Sequence, residues 1–289
     1  MSNAFKKAAL ALPGVIPGPV TPIVAQALGR AGYRLHELGP FKGYLQRAVM
    51  RALDVEFREA DRIIRANFRH MANTLLEVAR TDKLRREWPR LVRLEGREYL
   101  DAALAAGKGA ILLTAHLGNF ELMLRGLPLA GIPLHVVVWQ QAETFENRYL
   151  DMTRRMYGAK ILYSQDLTTA QALGVLNVGG LILIVGDNYN LGRNELPFFG
   201  FPTHIPAGPI HYSLKSGAPI IPIYTLRHGR RHHVIVEPPL QLPDEGDVYQ
   251  KGLELCVSMY ERWIRSCPEQ YLWIMRIQDW GKPMREARP

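Results

Sequence analysis

The chain predicts an α/β fold: a layered domain with a largely parallel central sheet flanked by helices, and a helical, membrane-associated N-terminal extension. Three features carry that expectation. Short, near-continuous apolar runs rich in β-branched residues recur through the middle of the chain. Helix-length stretches separate most of them, and one long segment of helical period precedes them all. Runs apolar on both sides of the strand alternation fit a sheet covered on both faces. At 289 residues, with 47% apolar and 22% charged side chains, the chain can bury a large core, and wholesale disorder is excluded. The expected division is a basic, proline-rich segment over 1–53 and an α/β domain over 54–289.

The N-terminal segment is defined by charge. Thirty-six basic against 27 acidic residues leave a surplus of nine, and residues 1–53 hold seven Lys/Arg against the single acid Glu37. Ala8 to Gly29 is an uncharged run long enough to cross a bilayer. Pro13, Pro17, Pro19 and Pro22 interrupt it, each removing a backbone donor, so a spanning helix is not expected. The same prolines shorten the apolar stretch below a signal peptide, although Lys6-Lys7 and Ala25-Gln26-Ala27 imitate its ends. An interfacial segment held by apolar side chains and flanking cations is the preferred reading, and a plain packed subdomain is the alternative.

Next, a helix is expected over Val55–Arg80, with Asp54 as N-cap and Ile64, Phe68, Met71, Leu75 and Val78 on its apolar face. Strands are expected at Ala110–Thr114, Leu134–Trp139, Lys160–Tyr163, Leu181–Val185, Ile220–Thr225 and His233–Glu237. Helices are expected near Phe120–Leu129, Phe145–Tyr157, Thr168–Asn177 and Gly208–Lys215, and a final one near Val248–Arg265. Gly107-Lys108-Gly109 reads as a turn leading into the first strand. Cys256 and Cys267 cannot form a disulfide framework and lack metal-type spacing, which fits a reducing compartment.

In such folds chemistry collects where strands end. The first strand ends in Thr114-Ala115-His116-Leu117-Gly118-Asn119-Phe120-Glu121. Asn119 can cap the following helix, and Glu121 falls in its first turn, where the helix dipole stabilises a carboxylate. His116 and Glu121 can then act as a base and the group that orients it, or as a packed histidine and an ordinary helix-start acid. Asp187, after Gly186 at another strand end, is either a site residue or the start of an Asx turn. Pro197 to Pro209 is an apolar loop stiffened by Gly and Pro; its helix start could hold an anion, or the loop is a hydrophobic lid.

The block Ala115–Glu121 resembles the His-x-x-x-x-Asp/Glu motif of glycerolipid-type acyltransferases. Gly96-Arg97-Glu98 and Gly107–Leu113, then Phe198-Phe199-Gly200, Thr203, Gly208-Pro209, Gly217–Pro222 and Pro268–Trp273, occur in the order of the lipid A secondary (lauroyl/myristoyl) acyltransferase family. The resemblance covers roughly Val55 to Arg276. The chain departs from that pattern at Asp187-Asn188, Trp139-Gln140 and Ile274-Met275-Arg276. The resemblance implies transfer of a fatty acyl chain from acyl carrier protein to a hydroxyl of a membrane glycolipid, at the cytoplasmic face of a bacterial inner membrane, without metal or nucleotide cofactor. It makes His116 the base and Glu121 its orienter, and it puts Asp187, Asn119, Phe199, Thr203 and Gly208 on the substrate side. Acidic carrier protein, a glycolipid acceptor and an anionic membrane surface all suit the basic surplus. An acyltransferase for another lysophospholipid or glycolipid, or a non-catalytic lipid-binding relative, is the alternative.

Other classes fit less well. No finger, basic zipper or single-strand-binding signature accompanies the positive charge, which argues against a nucleic-acid partner. There is no His-Glu-x-x-His spacing for a metal hydrolase, and His232-His233 point to opposite strand faces. Neither a Gly-x-Ser-x-Gly elbow nor a P-loop occurs.

Overall fold

The computed structural model describes residues 20–139, 145–187, 194–243 and 245–276. Most of the proline-rich run, Asn188 and Gln140 lie outside the described residues. Three helices come first: α1 (Thr21–Leu38), α2 (Tyr44–Leu53) and α3 (Phe57–Val78). Pro22 does not break α1 because it lies in the first turn, where a missing N–H leaves no bond unmade. Asp54, expected to cap α3, instead closes α2 in the left-handed region with φ 56°, and Glu56 precedes α3. A short acidic side chain tolerates that conformation, which turns the chain sharply between the two helices.

The remaining elements are α4 (Thr81–Leu91), β1 (Val92–Glu95), α5 (Arg97–Ala106), β2 (Ala110–Thr114), α6 (Phe120–Leu129), β3 (His135–Val138), α7 (Phe145–Met156), β4 (Lys160–Tyr163), α8 (Thr169–Asn177) and β5 (Leu181–Val185). They continue through β6 (Asn194–Phe198), β7 (Phe201–Ile205), α9 (Gly208–Ser216), β8 (Ile220–His228), β9 (Arg231–Val236) and α10 (Val248–Ser266). Two 3-10 turns, Pro268–Gln270 and Trp273–Arg276, follow.

Seven strands form one sheet in the order β1-β9-β8-β2-β5-β3-β4. The five from β8 to β4 run parallel; β9 returns antiparallel to β8, and β1 lies parallel to β9. The sheet is therefore mostly parallel, with helices on both faces. Alternation within β2 shows why its sequence is unbroken by polar residues. Ile111 and Leu113 face a core shared with α2, α3, α8, α9 and α10, whereas Ala110 and Leu112 face one shared with α5 and α6. Leu45, Ala48, Val49 and Ala52 of α2 belong to the first core, so the N-terminal helices are continuous with the sheet's hydrophobic interior. No helix among the described residues is long and apolar enough to cross a membrane.

The apolar loop expected from residue 197 is in fact a hairpin, β6–β7, turned by Phe199 (φ 51°) and Gly200 (φ 75°). Two successive residues at positive φ match the right-handed strand twist of a two-residue turn. Within the second core, helix contacts are close. A Cβ on Gly126 of α6 would lie 1.6 Å from the Trp88 ring of α4. Gly126→Ala should therefore destabilise the fold by about 1–3 kcal/mol. Gly174→Ala, in an open position on α8, should raise stability by about 0.4–1 kcal/mol. Chemical denaturation of both variants checks the pair; equal midpoints would mean that α6 does not sit on Trp88.

Candidate active site

Strand register builds the site. β2 and β5 are parallel neighbours with Thr114 opposite Val185, so two residues beyond each strand His116 stands beside Asp187. Their contact is direct: His116 Nδ1 lies 2.7 Å from Asp187 Oδ1, and the His116 backbone N–H donates to the same carboxylate at 3.2 Å. Asp187 is fully buried. Burial pushes its carboxyl up, but the His116 charge and hydrogen bonds and the Arg276 cation outweigh it and hold the group below the usual carboxylate range. An ionised Asp187 accepts Nδ1–H, which leaves Nε2 as the unprotonated ring nitrogen of neutral His116. Arg276 fixes the other side of the aspartate. It donates to the Asp187 carbonyl and, at 3.1 Å, to the Tyr271 hydroxyl, and it lies over the Phe198 ring.

The hydrogen bond to His116 Nδ1, which the expected pairing would give to Glu121, is made by Asp187. Glu121 turns to two buried cations, accepting hydrogen bonds from Arg154 and standing 3.7 Å from Arg125. Burial raises its carboxyl, yet the Arg154 and Arg125 charges win and keep it ionised; His116 contributes the smallest attraction. The reason is local. Glu121 lies on the first turn of α6, on the side that meets α7 and Arg154, whereas Asp187 comes from the adjacent strand end. Asn119 performs its expected capping, accepting from Leu122 N–H at 3.0 Å. Its amide donates to Glu77 at 2.7 Å, so both its polar ends are engaged.

The strand-end turn is held from two directions. From the C-terminal block, Leu272 N–H donates to the His116 carbonyl and Gly118 N–H donates to the Gln270 carbonyl, both at 3.0 Å. The Gly118 N–H is therefore already engaged. The residue also has φ 63°, and a Cβ there would lie 1.9 Å from the Thr225 carbonyl oxygen. From α3, Asn67 donates to the Glu269 and Tyr271 carbonyls, and Glu77 accepts from Asn119, Arg227 and His232. The Arg227 and His232 contacts keep Glu77 ionised against the opposing effect of burial.

His116 opens onto a cavity of about 520 Å³ whose wall is almost wholly apolar: Leu28 of α1, and Phe68, Met71, Leu75 and Val78 of α3. Glu121, Gly118, Gln270 and Phe120 complete the end near the histidine, with the Phe120 ring edge-on to His116 at 5.0 Å. The volume is in the range of small-molecule sites. Four of the five apolar positions expected on α3 are thus cavity wall, while Ile64 lies in the core and Phe68 packs against it as well. Phe199, Thr203 and Gly208 do not line this cavity. Phe199 stacks on Phe198 and lies under Arg265, Thr203 bonds within its own hairpin, and Gly208 begins α9.

His116, half-buried at a strand end and bound through Nδ1 by a buried carboxylate, thus borders a largely apolar cavity, an arrangement that suits a protein acting on a partly apolar molecule. The chain belongs to the bacterial lipid A biosynthesis acyltransferase family, whose pattern matches residues 46–277. Curated relatives include the phosphatidylinositol mannoside acyltransferases of two Mycobacterium tuberculosis strains, ATCC 25618 / H37Rv and CDC 1551 / Oshkosh. Each is 30% identical over 213 residues, which is 71% of this chain and 65% of the relative. The chain thus spans slightly less than two thirds of the curated relatives it matches.

His70 gives the site a measurable pH signature. Burial and the Arg227 cation bring its imidazole down to about 3, against the opposing pull of a Gly118 backbone hydrogen bond and the Glu77 charge. A depressed imidazole is neutral in the fold and charges readily only on unfolding. Its contribution is complete above about 6.5 and is lost as pH falls toward 3, at about 1.4 kcal/mol per pH unit. His70→Gln should flatten the decline of urea-unfolding stability between those limits by about that slope. Identical slopes in the two proteins would show that His70 is solvated in the fold.

Proposed function

We propose that this protein transfers a fatty acyl chain from a thioester on acyl carrier protein to a hydroxyl of a membrane glycolipid, at the cytoplasmic face of a bacterial inner membrane. The observation that carries the reading is the orientation of His116: Nδ1 is bound by buried Asp187, and the ring borders an apolar cavity. In the reaction Nε2 takes the proton of the acceptor hydroxyl as its oxygen attacks the thioester carbonyl. The tetrahedral oxyanion collapses, the C–S bond breaks, and the thiolate leaves with the proton returned by His116. Asp187 keeps the tautomer and supports the transient imidazolium. The apolar wall from α3 takes the acyl chain, which fixes the carbonyl near Nε2 and keeps bulk water from competing as acceptor.

Membership of the family favours a lipid A precursor as acceptor, and the mycobacterial relatives' name favours a mannosylated phosphatidylinositol. Both present a sugar hydroxyl on a lipid. The basic surplus supports acidic carrier protein as donor. Lipid mass spectrometry of a deletion strain identifies the acceptor through the acyl chain it lacks. Activity with carrier protein should fall as salt rises, over a Debye length of about 10 Å at 0.1 M. Equal use of acyl-coenzyme A would point to a donor chosen without the carrier.

His116→Ala should lower turnover by about 10²- to 10⁴-fold while leaving the melting temperature near that of the parent. Asp187→Ala should be damaging as well, and the double variant little worse than His116→Ala, because the two act as one unit. Glu121→Gln should differ in kind. It leaves two buried arginines without their shared counter-charge and should destabilise the fold, by about 3–5 kcal/mol where breaking a buried pair is the guide. A well-folded His116→Ala protein with normal turnover would sink the scheme. Vesicle binding without any acyl transfer by the parent protein would favour a lipid-binding role.

A further inference from the structure

A second concavity, of about 470 Å³, lies between α1 and α3 and is lined by Arg30, Arg34, Arg62, Arg65 and Arg69. The two helices touch closely there: a Cβ on Gly29 would lie 2.6 Å from the Arg69 Cα, which brings the arginines of both helices to one rim. Part of this charge is already matched. Arg62 pairs with Glu59, and Arg65 pairs with Asp61 at 2.7 Å while lying over the Tyr33 ring at 4.2 Å. Arg30, Arg34 and Arg69 have no carboxylate partner among the described residues, and all three are exposed. Three unmatched guanidinium groups around one groove, backed by two held in place, are suited to the forked hydrogen bonding of a phosphate ester.

The same helix supplies the reason to look for that phosphate on a membrane. Beside the arginines on α1 runs an exposed apolar stripe, Leu28, Leu35 and Leu38, continued by Phe41. Leu28 is at once part of this stripe and part of the wall of the His116 cavity. A helix with a basic edge and an apolar exposed edge matches a surface that lies in the bilayer interface, with cations at phosphate depth.

We propose that the arginine groove between α1 and α3 binds the phosphate of an anionic membrane-lipid headgroup, and so seats the protein with the Leu28 mouth of the cavity against the bilayer. This rests on the reading that the acceptor is a membrane lipid. The groove acts apart from the chemistry: none of its arginines touches His116 or Asp187.

The test compares the full chain with two triple variants of equal charge change. One replaces Arg30, Arg34 and Arg69 with Gln; the other replaces Arg85, Arg86 and Arg90 of α4. Each is sedimented with phosphatidylcholine vesicles containing phosphatidic acid, at one fixed salt concentration. The groove variant should lose vesicle affinity by about 100-fold, as expected for three basic residues near an anionic surface, and the α4 variant should lose far less. All three proteins should melt alike and should transfer acyl chains equally to a detergent-dispersed acceptor.

Equal losses in both triple variants would mean that net charge alone drives binding, and would overturn the proposal. So would unchanged vesicle binding by the groove variant together with loss of the parent's binding to millimolar glycerol 3-phosphate, which would make the groove a site for soluble phosphate. Unchanged vesicle binding with lost affinity for acidic carrier protein would assign the groove to the donor and would also overturn it. If the parent shows the expected vesicle binding but no acyl transfer at all, the groove stands and the proposed reaction fails.

Discussion

The buried Asp187 carboxylate is the constraint on which the site is organised. A fully buried anion is stable only where donors surround it, and here the donors are the backbone and ring of His116, with Arg276 supplying charge from the far side. Each of these brings another element with it. His116 fixes the end of β2, and Arg276 ties down the last described turn of the chain. Tyr271, bonded to Arg276, pairs with Leu117 in an isolated bridge. The strand ends, the C-terminal block and the ring tautomer are therefore satisfied together.

A second, partly buried charge group supports the opposite side. Glu77 receives Arg227 from β8, His232 from β9 and Asn119 from the start of α6, so α3 is fastened to the sheet beside the histidine turn. This explains how one helix can present Phe68, Met71, Leu75 and Val78 to an open cavity. Packing alone would draw such a face onto the sheet; polar attachments at Asn67 and Glu77 hold the helix at its present distance.

Much of this was legible in the sequence. Apolar runs located six of the seven sheet strands, and β1 escaped because its alternating Val92-Arg93-Leu94-Glu95 is short and charged. The hairpin was missed through the turn chemistry of Phe199-Gly200, since a bulky residue at positive φ is not a signal that composition offers. His116, Asn119 and Asp187 are recognisable as strand-end residues, but nearness in sequence points to Glu121 as the partner of His116. The neighbour relation of β2 and β5 decides it instead, and strand order is not written in local pattern. The periodicity of α3 was read correctly as a face, yet period cannot distinguish a face covered by protein from one left to a ligand. Arg125, Arg154 and Glu77 gave no sequence signal, because each acts through partners distant along the chain.

Glu77 lies between Leu75 and Val78 on the same turn of α3, but the three positions are governed by different rules. A change at Leu75 or Val78 reshapes the cavity and is felt by whatever fills it. A change at Glu77 strands Arg227 and His232 at once, so no single substitution there is a small step. Descendants of this sequence, whether natural or made in a library, can reshape the cavity one wall residue at a time, while the charged trio passes from parent to offspring as a single inherited block.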